Sequence, residues 1–386
     1  MPTIKEIEFQ TFTFPVEDLS IDHSMNAVYT LGGRIQRTGY SVRITDSEGC
    51  VGEWVNVNHD ATLYAQAQAL AKMLIGRDAD SREQMYDDWK RVQRKTWGLG
   101  YADLDIALWD MAGKRYGVPV SRLLGGFRDR LPTYASTFHG DRNGGLSSKE
   151  AFADYAEYCY ELGFRAFKVH GWTDADRREE AANVLHVASK VGDRMDLMLD
   201  PACELKTFGD ALYVGRACDE AKFFWYEDPY RDGGYSRHAH KKLRQMLKTP
   251  ILMGEHVRGL EAKADMIAAE ATDYVRVNPT LDMGITGAMK MVHLAEAFGL
   301  DAEMHGAGPS QRHCMAAMRN TNYYELALCA PKIGNPKPPI YTCGYSDDPE
   351  SVGRDGCFPV PTGAGLGVSY DWAFIKRNCQ ARLLVN

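Results

Sequence analysis

The feature that most constrains the fold of this chain is a regular alternation of short apolar segments and amphipathic segments from about residue 131 onward. Strand, helix and strand at a nearly constant spacing is typical of βαβ units, in which the strands pair in parallel. Eight apolar segments follow this period: LPTYASTF, FRAFKVHG, DLMLD, FFWYED, ILMGEH, YVRVNP, LDAEMHG and YYELAL. Eight such units predict a (β/α)8-type barrel, a fold of about 250 residues.

The segments on either side of this repeat have a different texture. The first 60 residues alternate apolar and polar side chains as strands do, and residues 61–125 show helical periodicity. The last 47 residues of the 386 are rich in turns, and we expect them to pack back on the N-terminal part. The sequence therefore predicts an α/β protein in three parts: an α+β capping domain (1–126), the barrel (127–339) and a C-terminal segment that completes the capping domain (340–386).

Composition excludes several classes of protein. A net charge of −7 argues against binding to the phosphate backbone of a nucleic acid or to an anionic membrane surface. The sequence has no apolar run near the roughly 18 residues that a membrane-spanning helix needs. The nine cysteines form no C-x-x-C pair, which is typical of reduced thiols and predicts a cytoplasmic protein.

Ionisable residues stand at the carboxyl ends of the predicted barrel strands, where the chemistry of such barrels is found. Asp200, Glu227 and Glu255 end three consecutive strands at intervals of one βα repeat. A single carboxylate at such a place could equally cap the following helix, but three in register would repel one another, and burial strengthens that repulsion. A divalent cation resolves the conflict, and ligation by oxygen suits Mg2+, with Mn2+ as the alternative.

A lysine and a histidine lie two residues apart on the second predicted strand. Residues i and i+2 of a strand share a face, so Lys168 and His170 should both point toward the barrel axis. Lys168 could instead be a simple ion-pair partner of Asp200, and a histidine among apolar residues is often part of the core. His305 ends the seventh strand on the opposite side. A metal between two proton-carrying groups suits removal of a proton next to a carboxylate.

In this order and spacing the motifs resemble the enolase superfamily, in particular its mandelate racemase/muconate lactonizing enzyme group. ALWDMAGKRYGVPVSRLLGG is similar to the junction of capping domain and barrel, LMLDP, WYEDP and MGEH to the metal-ligand strand ends, and VPTGAGLGV to the C-terminal signature. The resemblance implies Mg2+ held by Asp200, Glu227 and Glu255, a small-molecule carboxylate substrate that loses its α-proton, and a homo-oligomer. It also implies that His305 is the acid or base on the second face and that Glu325 lies beside the substrate carboxylate.

Two positions depart from the family's pattern. The second strand usually carries Lys-x-Lys, and His170 stands here in place of the second lysine. A histidine can also accept a proton at neutral pH. The family usually pairs the seventh-strand histidine with an aspartate on the sixth strand, whereas the matching residue here is Asn278. A neutral partner stabilises a cationic His305 less than a carboxylate would, unless Asp301 or Glu303 takes that role.

These departures favour dehydration over racemisation, because a racemase needs two comparable bases and a β-elimination needs one base and one acid. We therefore predict dehydration of an acid sugar, an aldonate or an aldarate, to a 2-keto-3-deoxy acid. His170, assisted by Lys168, is the expected base and His305 aids departure of the hydroxide, but the reverse assignment stays open. The alternatives are a racemase or epimerase of a hydroxy or amino acid and a binding protein that has lost catalysis. A metal-dependent hydrolase is disfavoured, because His139 stands alone where such enzymes carry His-x-His.

Specificity is expected from the capping domain, because the resemblance implies that its loops contact the distal end of the substrate. Residues 21–26, which include Met25 and Asn26, and residues 56–59 are polar enough to bind hydroxyl groups. Residues just past strand ends are further candidates for substrate contact, and the arginines among them could bind a second carboxylate. They are His256, Arg258, Arg312 and His313.

Overall fold

The computed structural model describes residues 1–57, 61–96, 98–174 and 176–386. Its N-terminal part contains three long strands, four α-helices and a 3-10 turn at Ala71–Leu74. The elements are β1 (Ile4–Ile21), β2 (Ala27–Asp46), β3 (Val51–Asn56), α1 (Ala61–Leu70), α2 (Arg82–Val92), α3 (Ala102–Tyr116) and α4 (Val120–Leu123).

The central part alternates strands and helices with the predicted period. Its elements are β4 (Arg130–His139), α5 (Lys149–Leu162), β5 (Ala166–His170), α6 (Arg177–Val191), β6 (Asp196–Leu199), α7 (Phe208–Ala221), β7 (Trp225–Glu227), α8 (Arg237–Met246), β8 (Ile251–Met253), α9 (Leu260–Ala268), β9 (Tyr274–Val277), α10 (Gly284–Ala297), β10 (Asp301–Met304), α11 (Pro309–Ala317) and β11 (Tyr324–Cys329). The C-terminal part adds a 3-10 turn at Pro349–Ser351, β12 (Cys357–Pro359), α12 (Trp372–Arg377) and β13 (Cys379–Val385).

Strands β4 to β11 coincide with the eight predicted apolar segments. They pair in parallel in the order β10-β9-β8-β7-β6-β5-β4-β11, and β12 adds to β4 in the antiparallel direction. The sheet curls on itself, as two contacts across it show: Arg276 on β9 donates to the hydroxyl of Tyr134 on β4 at 2.8 Å and to Glu325 on β11 at 3.1 Å. The amide of Gly306, just after β10, donates to Glu325 at 2.6 Å and so joins the two ends of the sheet. The predicted fold class is confirmed.

Side-chain caps fix where several of the barrel helices begin. The side chains of Ser148, Asp176, Thr207 and Ser236 each accept a hydrogen bond from a backbone amide in the first turn of α5, α6, α7 and α8. Such caps satisfy amides that have no partner inside the helix. Each cap therefore sets the residue at which its helix begins, and with it the end of the loop that follows the preceding strand.

The capping part is an antiparallel sheet in the order β13-β1-β2-β3. β13 pairs with β1, with Ile7 opposite Val385, so the C-terminal segment returns to the N-terminal part as predicted. Helix α3 joins this part to the barrel, since the carboxylate of Asp105 accepts hydrogen bonds from the amide and hydroxyl of Thr286 on α10. The domain boundaries at 126 and 339 stay predictions. Over the ranges described, no helix has the length and apolar character needed to cross a bilayer.

Candidate active site

Three carboxylates meet at the carboxyl ends of neighbouring barrel strands. Asp200 follows β6, Glu227 ends β7 and Glu255 lies two residues after β8. One carboxylate oxygen from each lies within 4.8 Å of the other two, and Asp200 and Glu227 are buried. The structure thus brings together the three residues that the sequence indicated as metal ligands.

Two buried cations lie beneath these carboxylates. The Nζ atom of Lys168 lies 3.3 Å from Asp200, 2.9 Å from Glu227 and 2.8 Å from Glu325. Arg276 was missed by the sequence analysis; its Nε lies 2.7 Å from Glu227 and its Nη2 lies 3.1 Å from Glu325. A signal for it existed, because a fully buried arginine inside the apolar segment YVRVNP requires an acidic partner.

Negative charge exceeds positive charge in this cluster. Two fixed cations, Lys168 and Arg276, pair with Asp200, Glu227 and Glu325, and the rings of His170 and His305 contact Asp200 and Glu255. Burial raises the pKa of Glu227 to about 7, even though Arg276 and Lys168 favour its ionised form and act to lower the pKa. A cluster of oxygen donors that cannot hold all its negative charge unaided fits a hard divalent cation such as Mg2+.

His170 lies on the same face of β5 as Lys168, as expected for residues i and i+2. Its Nδ1 atom is 2.7 Å from the backbone carbonyl of Thr137, and its Nε2 atom is 3.1 Å from Asp200. A carbonyl oxygen only accepts hydrogen bonds, so Nδ1 must carry a proton. The ionised carboxylate of Asp200 likewise only accepts, so Nε2 donates to it here and could act as a base only once that contact is released.

His305 has the opposite arrangement. Its Nδ1 atom lies 2.7 Å from the side-chain nitrogen of Asn278, and its Nε2 atom lies 3.3 Å from Glu255. The amide oxygen of Asn278 accepts from the amide and hydroxyl of Thr280 at 2.9 and 2.8 Å, which fixes the orientation of the amide group. The amide nitrogen then donates to Nδ1, so the proton of a neutral His305 sits on Nε2. Burial lowers the pKa of His305, which favours this neutral form.

Asp301 and Glu303 do not take the place of the missing family aspartate. Both accept hydrogen bonds from the side chain of Asn322, at 3.0 and 2.6 Å. These contacts lie at the beginning of β11, whereas His305 follows the end of β10. Asn278 is thus the residue that orients His305.

The remaining candidates past the strand ends have varied surroundings. His256 lies 3.8 Å from the buried carboxylate of Asp228 and groups with it and Cys203. Arg258 donates to the backbone carbonyl of its near neighbour Glu255. The other two candidates are held elsewhere, because Arg312 pairs with Asp347 at 2.6 Å and the ring of His313 accepts from the amide of Ser121 at 3.2 Å.

The loop candidates of the capping part are also separated by the structure. Asn26 lines the cavity above the metal-ligand cluster, whereas Met25 does not. Met25 sits in a turn with a φ of 68° and is 79% exposed, and its contact with substrate stays a prediction. Asn56 hydrogen-bonds Asp103 at 3.3 Å, and residues 58 and 59 lie outside the described residues.

The cavity above the cluster has a volume of about 410 Å3, which is in the usual range for small-molecule sites. Its floor is formed by strand ends of the barrel and its walls by the capping sheet and the loop after β11. The lining includes Asn26, Arg37, His139, His170, Asp200, Glu255, His256, His305, Glu325, Asn335 and Lys337. Sequence reasoning had not indicated Arg37, Asn335 or Lys337.

Comparisons with known proteins agree with this geometry. Residues 25–125 match the model of the mandelate racemase/muconate lactonizing enzyme N-terminal domain, and residues 151–374 match that of the enolase C-terminal domain-like family. The crystal structure of D-glucarate dehydratase from Agrobacterium tumefaciens complexed with magnesium is 28% identical, with a TM-score of 0.88 over 98% of this chain and 99% of that one.

Two curated relatives are similar over shorter stretches. D-gluconate dehydratase from Thermoproteus tenax is 25% identical over 70% of this chain and 56% of its own length. L-talarate/galactarate dehydratase from Salmonella typhimurium is 27% identical over 66% of this chain and 63% of its own length. The match therefore spans less than two thirds of either relative.

Proposed function

The chain belongs to the mandelate racemase/muconate lactonizing enzyme family, and from this premise we propose that it is a Mg2+-dependent dehydratase of acid sugars. The names of its relatives, which include gluconate, glucarate and talarate/galactarate dehydratases, support this activity. In the proposed reaction a base removes the α-proton, and the hydroxyl group on the next carbon leaves as water with a proton from an acid, which gives an enol. The enol becomes a ketone as the next carbon takes up a proton, so the overall change is the loss of one water molecule. The product is a 2-keto-3-deoxy acid.

Asp200, Glu227 and Glu255 would hold the metal. They offer only oxygen donors. Together with Glu325 they carry more negative charge than the positive charges of Lys168 and Arg276 can neutralise. Mg2+ bound there would offset the charge that develops on the substrate carboxylate as the α-proton is lost. The magnesium in the Agrobacterium tumefaciens relative supports this choice of metal.

The observation that carries the proposal is the opposite hydrogen bonding of the two histidines at Nδ1, which donates in His170 and accepts in His305. The Thr137 carbonyl keeps a proton on Nδ1 of His170, so Nε2, once released from Asp200 by a metal bound there, would be the nitrogen that takes the α-proton. Asn278 keeps the proton of His305 on Nε2, which makes that nitrogen a hydrogen-bond donor for the departing hydroxyl group. A base on one side and a donor on the other is what β-elimination requires, whereas a racemase requires a base on both sides.

Lys168 supports His170 in this role. Its buried ammonium group contacts Asp200, which in turn contacts Nε2 of His170. Lys168 therefore sets the electrostatic environment of the base.

The test is a panel of acid sugars incubated with the full chain and either Mg2+ or EDTA, with 2-keto product detected as its semicarbazone. We expect product only with Mg2+, and a loss of about 100-fold or more in kcat for His170→Asn and His305→Asn. His238→Asn, on the exposed face of α8, is the matched control and should retain full activity.

Two other results would contradict the proposal in different ways. Exchange of the α-proton with D2O in NMR, without any keto product, would show an epimerase or racemase. Neither exchange nor product over the whole panel would refute the proposed reaction.

A further inference from the structure

A half-buried arginine faces the cavity from the capping sheet. Arg37 lies on β2, where it pairs across the sheet with Phe14, and its residue lines the same cavity as His170, Asp200 and Glu255. The cavity floor is therefore anionic and metal-binding, whereas this wall carries a cation. A substrate that fills the cavity contacts both.

Arg37 has no acidic partner among the residues that the structure describes. Burial alone lowers its pKa, with no nearby carboxylate to raise it. A half-buried guanidinium without an anion is costly, since its five N–H groups lose water without gaining acceptors. Arginine is suited to bind a carboxylate with two parallel hydrogen bonds, so a carboxylate of the ligand is the partner that fits Arg37.

The other cations near the cavity already have hydrogen-bond partners. Lys337 lies 3.1 Å from Asp347, which also binds Arg312. Arg258 donates to a backbone carbonyl. Among the described residues, Arg37 is therefore the cation of this wall that is left for a ligand, and Asn26, which lines the same cavity, offers a side-chain amide for a hydroxyl group.

We propose that Arg37 binds a second carboxylate at the distal end of the substrate, so that the substrate is a sugar dicarboxylate (an aldarate). This inference rests on the proposed function, which assigns the first carboxylate to the metal site at the barrel floor. A monocarboxylate (an aldonate) places a neutral hydroxymethyl group against Arg37 and leaves the guanidinium unpaired. Discrimination between the two classes then arises at this wall and not at the metal.

The experiment measures kcat/KM of the full chain with Mg2+ for aldarates and for aldonates of the same configuration. We expect the wild type to prefer the aldarate by roughly 10- to 100-fold, the factor typical of a charge-assisted hydrogen-bonded pair. Arg37→Gln should lower kcat/KM for the aldarate by the same factor, mainly through KM, and leave the aldonate within about twofold. Arg37→Lys should recover part of the loss, because it restores the charge without the paired geometry.

Arg34→Gln provides the matched control on the same strand. Arg34 is largely exposed and pairs with Glu17 at 3.1 Å, so its loss should change neither substrate class. Wild-type turnover of aldonates as efficient as that of aldarates would overturn the inference and leave the proposed function intact, as would an equal loss for both classes in Arg37→Gln. Failure of both classes with Mg2+ would refute the proposed function, and the inference with it.

Discussion

Replacing Asn278 by aspartate changes one atom and should reverse the protonation of His305. In the present structure the side-chain nitrogen of Asn278 donates to Nδ1 of His305 at 2.7 Å, and its oxygen is held by Thr280. In Asn278→Asp the oxygen toward Thr280 keeps its contacts, and a carboxylate oxygen replaces the donor. That oxygen can only accept, so the proton of His305 must move to Nδ1 and free Nε2 to act as a base.

The size of the effect follows from this distance and from burial. A carboxylate in direct contact with a buried imidazole raises its pKa by about 1–3 units, which corresponds to about 1.4–4 kcal/mol in favour of the cation. Burial lowers the pKa of His305 in the native protein, so the substitution opposes the existing shift. His305 would thus become a competent base on the face opposite His170.

Two measurements follow the change. The nitrogen chemical shifts of the His305 ring, in protein labelled with 15N-histidine, report which nitrogen carries the proton. With substrate in D2O, Asn278→Asp should show deuterium at the α-carbon with inversion of configuration, and the native enzyme should not. Asn378→Asp makes the same chemical change far from the site and serves as control. A proton that stays on Nε2, or exchange without inversion, would refute the assignment of roles to the two histidines.

Three further predictions concern metal binding and stability. Mg2+ should raise the melting temperature and EDTA lower it, and Glu255→Gln should abolish the difference in a thermal-shift assay. Burial raises the pKa of Glu180 to about 7, so the protein loses stability as pH rises from about 4.5 to about 7 and the buried carboxyl group becomes charged. Glu180→Gln should therefore raise the free energy of unfolding by about 1–3 kcal/mol at pH 8 and have little effect at pH 4. An equal gain at both pH values would contradict this. Gly284→Ala should lower the free energy of unfolding in a urea titration by more than about 2 kcal/mol, because the new Cβ would lie 2.2 Å from Asp105 at a φ of +83°. Gly299→Ala is the control: its φ is +73° but its Cβ would lie in open space, so it should lose only about 1 kcal/mol from backbone strain.

The barrel was predictable because each repeat carries its own local signal, an apolar segment followed by the capping residue of the next helix. The acidic strand ends were predictable for the same reason, since Asp200, Glu227 and Glu255 recur once in each repeat. Arg276 was not recognised because its segment looks like a core strand and its partners come from β7 and β11. Only the closed sheet shows that these positions meet.

The residues that line the cavity from the capping sheet could not be predicted from the sequence, for a different reason. Arg37 belongs to a long hairpin whose position over the barrel depends on packing between distant parts of the chain, which periodicity does not report. Met25 looked as suitable as Asn26, and only the turn geometry separates them. The histidine protonation states likewise depend on a carbonyl and a hydroxyl, from Thr137 and Thr280, that no spacing rule indicates.

Because β13 pairs with β1, we expect the capping sheet to be completed late when the protein folds during synthesis. Barrel strands pair mostly with neighbours one repeat away, so their contacts can form as each repeat emerges. β1 must wait for residues 379–385, which are made last of all its partners. Until then β1 keeps an unpaired edge, which is a site for aggregation. The capping sheet is thus completed after the barrel that carries the cluster of Asp200, Glu227 and Glu255.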